Sequence, residues 1–251
     1  MTVVRSRPAT KTASFSTGWT LALHLLPGVV AAVVYFALVP LAKALSLPTA
    51  AALGASGLIA VASVQLAVLT AYAHRHGERA PWAAIVYRRR LRWPVTLAWA
   101  GLLFVLAAAA FLITAPLASG LKAAWFGWWP ADWLVDLGTS GGFSNPQLLV
   151  TAVILLVGTV IVAPLVEEMY FRGFLLPRMP DRLGQLAPAV HAALFGLYHL
   201  WTPWLAPTRF LAIVPLAYVV ARTRSIRVAV VAHMIANAVD LVVLLAYLSR
   251  R

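Results

Sequence analysis

The chain has 251 residues, 62% of them hydrophobic and 11% charged, with a net charge of +13 and a mean hydropathy of +0.87. A soluble domain carries about 25% charged residues, so this composition excludes an ordinary cytosolic enzyme and a disordered chain alike. The Lys and Arg residues fall between long apolar runs rather than on one basic face, which argues against nucleic acid as a partner, and the absence of Cys removes disulfides and thiolate chemistry.

In chain order, residues 1–17 form a basic tail with Arg5, Arg7 and Lys11. Crossing about 30 Å of hydrocarbon takes roughly 20 apolar residues. Runs of that length occur at 19–41, 49–73, 94–117, 148–171, 186–204 and 228–248, and a shorter run at 210–221 reads as a short or tilted crossing. The expected fold class is therefore all-α, a polytopic membrane helix bundle of about seven to eight transmembrane helices. The expected organisation is a cytoplasmic tail at 1–17, amino-terminal membrane helices at 18–147 with a basic loop at 74–93, and a membrane core at 148–251. The first run exceeds the apolar core of a signal peptide and is read as retained.

Positive charge sets orientation. Arg75, Arg79, Arg88, Arg89, Arg90 and Arg92 crowd the 74–93 loop, and the 172–182 and 222–227 connections are basic too. The 119–147 loop instead carries Lys122, Asp132 and Asp136 with Trp125, Trp128, Trp129 and Trp133, a composition suited to the membrane interface. A cytoplasmic amino terminus accounts for all of these. Seven crossings, however, put Arg250 and Arg251 outside. A missed crossing, a short run that does not cross, or a tail that departs from the charge rule each account for that.

Among the acids, Glu78, Asp132, Asp136 and Asp181 fall in loops, whereas Glu167, Glu168 and Asp240 fall within or at the end of apolar runs. A carboxylate there costs about 2.5–3.5 kcal/mol on insertion scales, so it normally faces a protein interior. Glu168 and Arg172 are four apart and share a helix face, with the acid on the favourable amino-terminal side. Glu167 points about 100° away and has no partner on its own helix. His233 and Asn237 share another face, continued by Asp240, and His199 lies on a separate span. Three helices can thus aim a carboxylate, two imidazoles and a carboxamide at one point. Glutamate as base, imidazoles as proton shuttle or oxyanion partner, and the amide as a donor make a water-activating hydrolytic site. His24 and His191 read as structural or interfacial, and the Arg88–Arg90 run as a positive-inside anchor with anionic headgroup contact.

Three stretches carry a family resemblance. Glu167-Glu168-Met169-Tyr170-Phe171-Arg172 fits EExxxR, Phe195-Gly196-Leu197-Tyr198-His199 fits FxxxH, and His233-Met234-Ile235-Ala236-Asn237 fits HxxxN. In this order and on separate apolar runs, they resemble the CAAX-protease and bacteriocin-processing (CPBP, or Abi) family of intramembrane proteases, which includes the type II CAAX prenyl endopeptidases. The resemblance spans about 148–248 and makes 148–251 the catalytic core. It implies a membrane-embedded hydrolase, an intramembrane endopeptidase in which Glu167 activates water and His199 orients it or assists proton transfer. It further implies that His233 and Asn237 stabilise the oxyanion and that Glu168 and Arg172 form a supporting pair.

No cofactor is expected. Zinc held by Glu167, His199 and His233 is the alternative, against which stands the lack of an HExxH motif. The implied partners are the lipid bilayer and a peptide or protein substrate, with prenylation left open. The implied location is a bacterial inner membrane with the amino terminus cytoplasmic. The prenyl endopeptidases are expected to have eight crossings, one more than counted here. Rival readings are a non-proteolytic Abi-type scaffold or bacteriocin-immunity protein, and a transporter whose acids relay protons. A rhomboid-like dyad of Ser56, in Gly54-Ala55-Ser56-Gly57, with His233 would leave both glutamates and His199 without a task.

Overall fold

The computed structural model describes residues 13–251, so Arg5, Arg7 and Lys11 lie outside the described residues. Seven principal helices make up the bundle: α1 (Thr17–Ala44), α2 (Thr49–Arg75), α3 (Trp93–Phe126), α4 (Asn145–Arg178), α5 (Ala187–Tyr198), α6 (Ala206–Thr223) and α7 (Ile226–Leu248). Among the described residues there are no strands, only one isolated bridge between Arg88 and Ser225. The all-α membrane-bundle reading holds. Leu112 and Ile113 in mid-α3 are 78% and 77% exposed, an outward apolar face that suits lipid rather than water.

Six of the helices are long and apolar enough to cross a membrane, with α6 counted from Pro203, and the exception is α5. Here the boundaries read from hydropathy need correction. The 186–204 run is not one helix, because α5 stops after 12 residues, about 18 Å, where His199 leaves helical geometry at ψ 64°. The 210–221 run is instead the middle of a 21-residue helical stretch, Pro203–Thr223. The break between α5 and α6 carries His199, Thr202 and Pro203, but Leu200, Trp201, Trp204 and Leu205 around them keep the run apolar enough to read as one span.

Bonds at the two ends of the bundle fix the path of the chain. At the arginine end, Phe15 N–H donates to the Arg178 carbonyl at the end of α4 (2.8 Å). The 78–92 loop is strapped to the same end. Val86 N–H donates to Gly173 O and Arg89 N–H to Arg224 O, both at 2.8 Å. At the tryptophan end, Tyr35 Oη donates to Trp133 O (2.9 Å), and Trp129 packs against Phe36, Trp133 and Trp204. Lys43 pairs with Asp132 there and holds its carboxyl below the usual carboxylate range.

Arg251 donates to Phe143 O (2.6 Å), also at the tryptophan end. The chain therefore makes seven traverses with six reversals of direction, α5 and the turn after it together making one traverse. Tyr218 meets Gln185 near the arginine end, and Thr208 meets Thr114 well along α3. Of the three explanations for Arg250 and Arg251, this path matches the tail that departs from the charge rule.

The core uses small residues where backbones touch. A Cβ on Gly158 of α4 would stand 2.1 Å from Gly54 O of α2, and one on Gly28 of α1 would stand 2.1 Å from Tyr198 O. No side chain larger than hydrogen fits at either crossing. In the same region the backbone hydrogen bonds widen to i→i+5 over Gly57–Ala62 and Leu155–Val162, and again over Glu168–Leu175. Such widened turns inside helices recur at functional sites and re-aim the side chains they carry.

Candidate active site

The site forms where α4, α5 and α7 meet. Helix α4 supplies the two glutamates, which the widened turn beginning at Glu168 presents to different neighbours. Arg172 Nη1 donates to Glu168 Oε1 at 3.0 Å, four residues on, with both side chains 0% exposed. The guanidinium also lies 3.9 Å over the Phe195 ring of α5, so its desolvation is offset by one carboxylate and one aromatic face.

Glu167 is also buried. Its partners come from other helices: Tyr198 Oη donates to Oε1 at 2.9 Å, and His233 Nε2 stands 3.7 Å from Oε2. His233 Nδ1 lies 2.9 Å from Glu168 Oε1, an oxygen that can only accept, so this nitrogen carries the hydrogen. His233 is therefore oriented by one glutamate while its other nitrogen faces the second.

His199 terminates α5, and its Nδ1 donates to the carbonyl of Phe195 at 2.9 Å, one of the free carbonyls of the last turn. Nε2 is left as the acceptor. Phe195 lies between the pieces, its ring centre 4.9 Å from that of His199 and 6.3 Å from that of His233. Asn237 donates to Thr159 O at 2.9 Å, within the widened stretch of α4. One of its amide hydrogens thus ties α7 to α4 and the other is available.

All six residues singled out in the sequence, Glu167, Glu168, Arg172, His199, His233 and Asn237, thus belong to one neighbourhood. Asp240 does not join them, being exposed, and the carboxylates against His233 are the two glutamates. Ser56 is buried with its hydroxyl donated to Leu53 O (2.8 Å) rather than to His233. His24 and His191 form a separate buried pair at 2.9 Å, with His24 also bonded to Thr20 O. Among the described residues no three His, Cys, Asp or Glu side chains are grouped so as to hold a metal ion, so Glu167, His199 and His233 are not a preformed ligand set.

Two participants were not singled out. Tyr198 lies inside the Phe195–His199 stretch as an unspecified position. Gln65 of α2, 0% exposed, donates to Tyr198 Oη at 3.4 Å. An amide in an apolar run was the available signal, because it too must find a partner there.

This geometry can be set beside known proteins. Residues 149–239 match a family model, Type II CAAX prenyl endopeptidase Rce1-like. The matched stretch holds α4 from Leu149, all of α5 and α6, and α7 as far as Val239, and so contains every glutamate and histidine of the site. No curated protein and no solved structure matches the chain. The resemblance read from the three motifs is thus present in the same segment. At the level of the matched family, it supports an integral membrane protease acting on a peptide.

Proposed function

We propose that this protein is an intramembrane endopeptidase, CAAX-protease-like, that hydrolyses a peptide bond by water activated on Glu167. The observation that carries the reading is a division of labour between adjacent glutamates. Glu168 is spent on Arg172 and His233, while Glu167 keeps one oxygen, Oε2, with no hydrogen bond and with His233 beside it.

In this mechanism Glu167 Oε2 takes a proton from water as the water oxygen bonds to the substrate carbonyl carbon. The carbonyl electron pair moves to its oxygen, and that oxyanion is stabilised by the remaining amide hydrogen of Asn237 and by His233 as the imidazolium, which donates from Nε2 while Nδ1–H stays on Glu168. His199 Nε2 accepts the second hydrogen of the water and aims its oxygen. On collapse the C–N bond breaks, and Glu167 returns its proton to the leaving amine. Glu168 and Arg172 hold His233 and the helix in register.

The cut is placed near the cytoplasmic surface, in a bacterial inner membrane with a cytoplasmic amino terminus. Supporting this, Glu167 lies in the half of α4 that ends at Arg178 and His233 in the half of α7 that begins at Ile226, both toward the arginine end. The substrate is a peptide or protein, and no metal is required. The test compares membrane-proteome neo-termini in cells expressing the parent or Glu167→Ala. Termini that vanish in the variant identify the substrate and its cut junction, whereas matching profiles at equal expression overturn the proposal.

A further inference from the structure

The amino-terminal helices reach the site through one hydrogen-bonded chain. Gln65 of α2 donates through Nε2 to Tyr198 Oη at 3.4 Å, and Tyr198 donates its only hydroxyl hydrogen to Glu167 Oε1 at 2.9 Å. Gln65 and Tyr198 are both 0% exposed. Because the tyrosine oxygen already accepts from Gln65, its hydrogen has a single direction, towards Glu167.

The ring that carries this hydroxyl is clamped. Phe171 and His199 pack on it with centroids 5.0 and 4.9 Å away, and Trp201 lies at 5.9 Å. The Tyr198 backbone is pressed against Gly28 of α1, where a Cβ would stand 2.1 Å from its carbonyl oxygen. A fixed donor on Oε1 has a chemical consequence. A carboxylate oxygen whose lone pair already accepts a hydrogen bond, as Oε1 does at 2.9 Å, is the poorer proton acceptor of the two. The water proton therefore goes to Oε2, the oxygen on the His233 side.

We propose that Tyr198, with its hydroxyl aimed by Gln65, is a positioning residue that commits Glu167 to act through Oε2. The role rests on the proposed function above. It keeps the carboxyl proton on the face where the water arrived and the amine leaves, so that proton uptake and return use the same oxygen. It also assigns a task to α2, which lies outside the matched segment.

The test uses full-length protein in liposomes, in four forms: parent, Tyr198→Phe, Gln65→Leu and Glu167→Gln. Infrared difference spectra of parent against Glu167→Gln isolate the Glu167 carboxyl band. Tyr198→Phe should shift that band, and Gln65→Leu should shift it less. An unmoved band in both variants overturns the proposal, whatever the activity.

The second readout is cleavage of the junction peptide identified from the neo-termini. Removing one charge-assisted donor should lower kcat about tenfold in Tyr198→Phe while KM stays within about twofold. Gln65→Leu should show the same pattern, weaker. A loss carried by KM alone, or an unchanged kcat, overturns the positioning role while leaving Glu167-dependent hydrolysis standing. If Glu167→Gln cleaves as fast as the parent, the proposed function falls and this role with it.

Discussion

Arg172 and His233 both reach the same oxygen, Glu168 Oε1, at 3.0 and 2.9 Å, from a turn below on α4 and from α7. One buried carboxylate oxygen thus joins the helix that carries the glutamates to the helix that carries the second histidine. Breaking one side of a buried pair leaves an uncompensated charge and costs about 3–5 kcal/mol. Arg172→Ala and Glu168→Ala should each lower thermal stability and folded yield by that order, read by thermal unfolding in detergent. Replacing both together, Glu168→Gln with Arg172→Met, should recover much of the stability, since no charge is stranded, yet leave His233 without its orienting carboxylate and turnover low.

The bundle path predicts which ends share a side. The chain contains no Cys, so single cysteines report without background. Gly77→Cys should react with a membrane-impermeant thiol reagent from one side, and Ser140→Cys and Ser249→Cys from the other. Labelling of Ser249→Cys from the Gly77 side would contradict seven traverses.

Crossing helices predict a sharp contrast between glycines. Gly158→Ala must push α4 off Gly54 O, from which its Cβ would stand only 2.1 Å away, whereas a Cβ at Gly101 meets nothing within 4 Å. Overpacking of this kind costs about 1–3 kcal/mol, so Gly158→Ala should melt several degrees lower and Gly101→Ala should not. Equal melting temperatures would remove the close approach of α2 and α4 from the account.

A mechanism that runs on Glu167 and water alone predicts indifference to chelators. Cleavage by purified protein should survive exhaustive dialysis against EDTA and phenanthroline, with no gain on adding zinc. Loss on chelation and recovery with zinc would favour the alternative with Glu167, His199 and His233 as ligands.

Much of this architecture was legible in the sequence because lipid imposes simple rules. Five of the six apolar runs of spanning length became single helices, and two of the three acids that are costly in such runs, Glu167 and Glu168, lie together in the candidate site. The Glu168–Arg172 pair followed from spacing alone. What escaped was decided between helices. The end of α5 at His199 was masked by the flanking Leu and Trp residues, and its signal was Pro203, which favours a helix start four residues on. Tyr198 and Gln65 became visible as partners only once α2 and α5 were packed against α4. Asn237 was assigned by resemblance to the oxyanion, and its bond to Thr159 O depends on a widened helical stretch that a regular 3.6-residue period does not foresee.

The central claim is that Glu167 is the base. It is tested most directly by the cleavage rate of the junction peptide in liposomes containing parent or Glu167→Gln protein, matched for folded fraction by melting temperature. General-base catalysis contributes about 10²–10⁴-fold, so Glu167→Gln should lose at least about a hundredfold in kcat with its melting temperature near that of the parent. Equal rates would contradict the account.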